Sequence, residues 1–436
     1  MCWSGSDTRG EKSVVAILGR EYDLARVMHL ACRPDQPSYM FHTSASPQRA
    51  VVALAAACLA LASCSGTDDS ATVVPSYPAV ERTFAGKINL NSLANYNGQA
   101  RPIYIVKDLL GGTNPSNAKA TLGRVLFYDK KLSSDNTIAC ATCHVQALGF
   151  SDDEVSSTGI AGGKTGRHGM RLINSRFGQE VKFFWDERAT SLQNQVTQPV
   201  KDVNEMGFSG TSGQPAFSTL LTKLAGTDYY QELFTFVYGD ATVTEARIQD
   251  ALSQFIFSIQ SFDSKYDVGR AAAPNDAANF ANFTAQENQG KTLYLQAPAF
   301  APGGLRTGGG AGCQSCHRAP EFDIEANSQN NGIVGVIGGG TDLTVKRSPS
   351  LRDLVRVDGT LNGQIMHTGE ITTLAGVIEH YNSGISLNAQ LDPRLRPGGN
   401  PQRLQLTQAE KDALVAFLRT LSGTTVYTDA RWSNPF

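Results

Sequence analysis

The sequence predicts an all-α protein built from two similar halves, and three observations carry that prediction. Apolar stripes with helical spacing recur: Ile248, Leu252, Phe255 and Ile259 form one, and Leu414, Phe417, Leu418 and Leu421 form the other. The surrounding stretches repeat in the same order. "LGRVLFYDKKL" (122–132) and "QGKTLYLQ" (289–296) both read G-basic-x-L-aromatic, while "ALSQFIFSI" (251–259) and "ALVAFLRTL" (413–421) both read A-L-x-x-F. Alternating patterns of the strand type are few, so little β-structure is expected.

Each helix has a start signal as well as a face. Thr244 can cap the helix that carries the first A-L-x-x-F stretch, and Thr284 with Glu287 makes a capping box for the helix carrying "GKTLY". The apolar stripe is lost over "DVGRAAAPNDAANFANF" (267–283), which places the boundary between an N-terminal domain, 85–270, and a C-terminal domain, 271–436. A chain of 436 residues can supply both with a core. Hydrophobic residues make up 41% and charged residues 18%, a globular composition. With a formal charge of −2 and no basic run, nucleic acid is excluded as a partner.

The eight cysteines sort by position. Cys58 and Cys64 fall in "AVVALAAACLALASCSG", where an apolar run over 50–62 follows Arg49 and ends at "LASC". The run is too short to span a bilayer but has the length of a signal-peptide core, and "LASC" is similar to a bacterial lipobox with Cys64 as the lipidated residue. The alternative is a buried helix at 50–62. Taken as a lipoprotein signal, residues 40–64 begin at Met40, which makes residues 1–39 an upstream mis-start. Residues 65–84 then form a flexible tether, polar from its first residues, "SGTDDSAT". The mature protein is expected to be exported to the periplasm and held to a membrane only by its lipid. It keeps Cys64 and four further cysteines, with no pair left for a disulfide.

Those four stand in "CATCH" (140–144) and "CQSCH" (313–317). C-x-x-C-H sets two thiols one turn apart to add across the vinyl groups of a haem, and places the next imidazole under the iron. Cys140, Cys143 and His144 are expected to hold one covalently bound c-type haem, and Cys313, Cys316 and His317 a second. C-x-x-C is also half of a zinc site. Here each pair has its own adjoining His, and the pairs lie 173 residues apart, which argues against zinc. Each half thus runs helix, C-x-x-C-H, long loop, closing helix, the order of a cytochrome c domain. "GGGAG" (308–312) leads straight into the second motif and lacks the strand and Lys of a phosphate loop.

Between the motifs, "FFWDERATSLQNQVTQPVKDVNEMG" (183–207) resembles the bacterial di-haem cytochrome c peroxidase and MauG superfamily. The family's F-W-D-G-R…Q…P…E-M pattern is matched by Trp185, Asp186, Arg188, Gln195, Pro199, Glu205 and Met206, with Glu187 in place of the usual glycine. "LGRVLFYDKKLSSDNTIACATCH", "SFDSKYD", "RSPSLRDL" and "MHTGEITTLAGVIEHYNSG" extend the likeness from about residue 85 to 425. The resemblance implies that Glu205 and Gln195 are catalytic, on the distal face of the first haem, and that Trp185 relays electrons between the haems. Cleaving an O–O bond needs a base to move the peroxide proton and a donor to hold the leaving oxygen. Read without the family, Glu205 is a solvated surface carboxylate and Trp185 a core aromatic.

The same resemblance bears on the sixth iron ligands. Counting fourteen residues from His367 reaches Tyr381, where peroxidases fed by cytochrome c carry methionine and MauG-like proteins carry tyrosine. Tyr381 is the expected ligand of the second haem iron, Met366 the rival and His380 a weaker one; His367 suits a propionate hydrogen bond. "GRHGMRLIN" (166–174) aligns His168 with a family asparagine, and the loop "DEVSSTGIAGGKTG" (153–166) has no histidine. The first haem should therefore keep an open position. The family's calcium site uses that asparagine; with His168 there, and "NGQIMH" (362–367) in place of T-A-P-Y-x-H, calcium is doubtful.

The function expected is reduction of hydrogen peroxide at the N-terminal haem with electrons relayed through the C-terminal haem from a small redox protein, a cytochrome c or cupredoxin. The alternatives are a MauG-like oxidase acting on a partner protein and a non-catalytic electron-transfer cytochrome.

Overall fold

A computed structural model describes residues 74–436, apart from Glu325 and the side chain of Ile324. The expected signal segment, Cys64 and the first part of the tether lie outside the described residues. The order is α1 (Pro78–Phe84), α2 (Asn117–Tyr128), α3 (Cys140–Cys143), α4 (Leu192–Gln195), α5 (Gln198–Lys201), α6 (Phe217–Ala225), α7 (Asp228–Tyr238), α8 (Glu245–Ser258), α9 (Lys265–Ala272) and α10 (Ala285–Leu295). Then come two short antiparallel pairs, β1 (Pro298–Phe300) with β2 (Arg306–Gly309) and β3 (His317–Arg318) with β4 (Asp323–Ile324), followed by α11 (Leu374–Ser383) and α12 (Gln408–Arg419). The fold is all-α with long connecting loops.

Two helix pairs organise it, α2 with α8 and α10 with α12. Thr244 caps α8 through the Arg247 amide, Thr284 and Glu287 form the capping box of α10, and Thr407 with Glu410 repeats that box on α12. The repeated sequence signatures meet where the pairs cross. A Cβ at Gly123 would lie 2.0 Å from the carbonyl oxygen of Ala251, and one at Gly290 would lie 1.9 Å from that of Ala413. Only hydrogen fits at either place. Phe255 and Phe417, from A-L-x-x-F, flank the two contacts and are fully buried. G in one helix and A-L-x-x-F in the other are thus two halves of one close approach, made twice.

Around α2 and α8 a first hydrophobic core gathers Leu126, Phe127, Tyr230, Phe234 and Phe255; around α10 and α12 a second gathers Tyr266, Tyr294, Phe322 and Phe417. Tyr266 lies on α9, so the second core begins a few residues before 271. The last residues cross back to the first core. Val426 and Trp432 are buried in it, the Trp432 indole donates to Ser258 Oγ at 3.2 Å, and Arg124 Nε and the Tyr128 hydroxyl, both on α2, donate to the carbonyls of Ser433 and Trp432 at 2.7 Å.

The tether expected over 65–84 is corrected at its end. Residues 78–84 form α1, with Ala79, Val80 and Phe84 buried. Pro78 pre-sets the first turn, and Glu232 on α7 accepts from the Ala79 and Val80 amides at 3.0 and 2.9 Å. Phe84 then packs on Tyr229, which ties the segment to the core.

Candidate active site

At the first motif, α3 places Cys140 and Cys143 one turn apart, and the chain leaves the helix at His144. Nδ1 of His144 lies 3.3 Å from the carbonyl oxygen of Phe150. A proton on Nδ1 satisfies that carbonyl and leaves Nε2 as the free lone pair, the tautomer an iron ligand requires. Burial keeps the ring neutral by pushing its pKa down.

Glu205 and Gln195 line the same cavity as Cys140, Cys143 and His144. Gln195 ends α4, which Ser191 caps by accepting from the Asn194 amide at 3.1 Å. Glu205 follows α5 in a turn clamped from outside: its carbonyl accepts from the Ile160 amide at 3.0 Å, and a Cβ at Gly159 would lie 2.0 Å from the Asn204 carbonyl oxygen. Glycine at 159 is what lets the two loops touch. Burial, helped by the negative charge of Asp202 and partly offset by Arg188, pushes the Glu205 carboxyl up to about 7. Such a group exchanges protons at neutral pH, which a solvated surface carboxylate does not. His168 does not line this cavity. Met206 does, a thioether that the E-M pairing in the sequence had already placed beside Glu205.

The second motif is built differently. Cys313–Ser315 form a tighter turn, and His317 opens the β3–β4 hairpin. Burial pushes the His317 imidazole down to about 4, tempered by the Pro349 carbonyl. The Tyr294 hydroxyl donates to the His317 carbonyl. Cys313, Cys316, His317 and Tyr381 line a cavity of about 690 Å³, within the range of cofactor pockets. Tyr381 projects from α11, and burial holds its phenol well above the ordinary value. Met366 lies outside that cavity; its sulfur accepts from the Asn331 amide at 3.6 Å. His380 hydrogen-bonds the Asn331 carbonyl at 3.0 Å and lines neither site.

A smaller cavity adjoins the second site and brings together Trp185, His168, Arg171, Lys346, Arg347, Met366 and Tyr381. The Trp185 indole donates to the His168 carbonyl at 2.8 Å, and its ring lies 6.2 Å from that of His367. Nε of Arg171 and Nη2 of Arg347 are buried with no hydrogen-bond partner among the described residues. Cationic walls with unspent donors suit the carboxylates of haem propionates. His168 presents nitrogen rather than oxygen, a poor ligand for a hard cation, so calcium has no fitted site at this position.

The residues therefore fit haem at both motifs. At the second, donor set and volume agree. At the first, the void is only about 70 Å³, and the fit rests on the donors: two thiols, an oriented imidazole, and a carboxyl and an amide in the same wall.

Glu187, where the family has glycine, has φ +56°, which explains the glycine. Its carboxyl is buried beside Glu180, which with burial pushes its pKa up, and Lys182 lies 3.5 Å away.

Comparison with known proteins agrees with this chemistry. A family model described as di-haem cytochrome c peroxidase matches residues 117–272. The methylamine utilization protein MauG of Methylophilus methylotrophus is 28% identical over 317 residues, 70% of this chain and 82% of that protein. The cytochrome c551 peroxidase of Nitrosomonas europaea is 26% identical over 322 residues, 71% of this chain and 81% of that protein. Among solved structures, a MauG-like protein associated with microbial copper homeostasis superposes with a TM-score of 0.59 at 26% identity, covering 78% of this chain and 99% of that one. The diheme peroxidase BthA from Burkholderia thailandensis shares the fold, with a TM-score of 0.51 at 19% identity over 76% of this chain and 89% of that one. Its motifs, its paired helices and these relatives together support placing the chain in the superfamily of bacterial di-haem cytochrome c peroxidases and MauG, whose members are oxidoreductases.

Proposed function

We propose that this protein carries two covalently attached c-type haems, one in each half, and reduces hydrogen peroxide to water at the N-terminal one, with electrons passed through the C-terminal one. The observation that carries this reading is Glu205: a carboxyl poised near neutral pH in the same cavity as Cys140, Cys143 and His144, with the Gln195 amide beside it. Haem iron supplies the redox chemistry of O–O cleavage. The chain supplies the proton handling. Glu205 takes the proton from one peroxide oxygen and returns it to the other, which leaves as water, while Gln195 donates a hydrogen bond to the departing oxygen. His144, neutral and oriented by the Phe150 carbonyl, would hold the iron. Two electrons and two protons complete the conversion of one peroxide to two waters. Trp185, between His168 and the second site, is the relay.

The electron source is a cytochrome c, a cupredoxin or a protein substrate. The last, a MauG-like oxidase, gains support from Tyr381, which lines the larger cavity while Met366 does not. We also propose an exported, lipid-anchored protein. No helix among the described residues is long and apolar enough to cross a membrane. Replacing Cys64 by Ser should release the protein from membranes with its haem content unchanged; retention would remove the anchor.

Visible and EPR spectra of the purified holoprotein, with and without peroxide, test the central reading. One high-spin haem that responds to peroxide is expected. Two low-spin haems with no response would leave only an electron-transfer cytochrome.

A further inference from the structure

The second core holds a line of tyrosines that neither site requires. Tyr294 lines the second cavity beside Cys313 and His317. Its ring lies 5.6 Å from that of Phe322, which lies 4.7 Å from that of Tyr266. Tyr294, Phe322 and Tyr266 are fully buried. From Tyr266 two polar bridges lead to Tyr104. Along one, the Tyr266 hydroxyl donates to Asp276, Arg270 stands 3.4 Å from that carboxylate, and the Arg270 guanidinium lies 5.0 Å from the centre of the Tyr104 ring. Along the other, Arg352 lies 5.6 Å from the Tyr266 ring and donates to Asp267 at 2.9 Å, and Asp267 accepts from the Tyr104 hydroxyl at 2.9 Å. Tyr104 is half-buried, at the end of the line.

Two features separate this line from ordinary core packing. Tyr266 and Tyr104 each donate to a carboxylate, which can accept the phenolic proton when the ring gives up an electron; Tyr294 donates to a backbone carbonyl, which cannot. The line also ends where apolar side chains face water: Ile103 is 97% exposed, Val106 75% and Val268 62%, flanking Tyr104 and Asp267 in sequence. Exposed aliphatic residues gathered at one place mark a contact surface.

We propose that Tyr266 and Tyr104 form a redox exit from the second haem site to the surface, through which a phenolic side chain of a docked protein is oxidised after peroxide has reacted. This rests on the peroxide reading above. An electron leaves Tyr104 for the haem site by way of Tyr266 as its phenolic proton passes to Asp267. An electron from the partner's phenol then restores Tyr104, the proton returns from Asp267, and the partner's own phenolic proton goes to solvent. Two phenols so oxidised provide the two electrons and two protons that turn one hydrogen peroxide into two waters. A phenol suits the route because electron exchange between two tyrosines is nearly even in energy.

The test uses the holoprotein with hydrogen peroxide, no reductant and a nitroso spin trap, followed by digestion and mass spectrometry. A trap adduct on Tyr104 is expected, and it should be lost in Tyr266→Phe, which keeps the ring packing. With N-acetyltyrosinamide as the added phenol, dityrosine fluorescence should be lost in both Tyr104→Phe and Tyr266→Phe. If the haem spectrum responds to peroxide but Tyr104 carries no adduct, if the adduct survives in Tyr266→Phe, or if dityrosine yields are unchanged in the variants, the exit is overturned while the peroxide reading stands. If the haem spectrum does not respond at all, both fall.

Discussion

Gly123 and Gly290 do the same work in two places, each letting one helix lie against the carbonyl of an alanine in its partner. Above these matched crossings the halves diverge. The first presents Cys140 and Cys143 on a helical turn, an imidazole oriented by Phe150, and a carboxyl and an amide in the cavity wall. The second presents its thiols on a tighter turn, its imidazole on a hairpin, and a phenol from α11. Duplication preserves the backbone geometry because two helices this close tolerate no side chain between them. The polar groups over each cavity stand on loops and on α4 and α11, outside the crossings, so they can change without unpacking the scaffold.

The largest effect should come from removing the group that distinguishes the first half. Glu205→Gln should leave both haems attached and slow the reaction with peroxide by about 10²–10⁴-fold in stopped-flow measurements. An unchanged rate would erase the proposed division of labour. The same residue sets a pH dependence. Its base form prevails above its pKa, so the second-order rate with peroxide should rise with pH through about 7 and level off, and this limb should vanish in Glu205→Gln.

Next comes the tail that breaks the symmetry. Trp432→Ala removes a fully buried indole from the first core and should cost about 3–5 kcal/mol in denaturant unfolding. An equal loss of Leu421 packing in the second core would not disturb α2, because Tyr128 and Arg124 hold the tail and not α12. Gly123→Ala and Gly290→Ala test the matched crossings, and each should cost about 1–3 kcal/mol through forced separation of the helices. A large cost at one and none at the other would show that the halves are less alike than their Gly–Ala contacts indicate.

The smallest change is spectroscopic and concerns the second half. If Tyr381 is the axial ligand, Tyr381→Phe should alter the resting spectrum of the second haem and raise its potential, since a phenolate favours the oxidised iron. Met366→Leu should then change neither. The reverse pattern would make Met366 the ligand and weaken the oxidase reading. At the first site, Met206→Leu should leave the high-spin signal in place; its disappearance would mean that the thioether beside Glu205 governs the coordination there.

Much of this was legible in the residues because it is local or repeated. C-x-x-C-H carries its own geometry, the threonine caps bond amides three residues away, and the G and A-L-x-x-F signatures recur in order along the chain. Tyr104 and the α1 segment were harder to read. A tyrosine in a loop and a short run after a polar stretch have no distinctive spacing, and their roles depend on what the rest of the chain brings to them.

The sequence by itself determined the helical class, the two C-x-x-C-H motifs, the caps and the repeat, since each rests on contacts within a turn or on a periodicity along one helix. Only the tertiary structure decided which loops close on which cavity. Glu205 acquires its raised pKa from burial and from Asp202, Tyr381 reaches the large cavity while Met366 turns to Asn331, and Trp432 returns to the first core. These outcomes depend on desolvation and on distances between segments far apart in the chain, which no local pattern encodes.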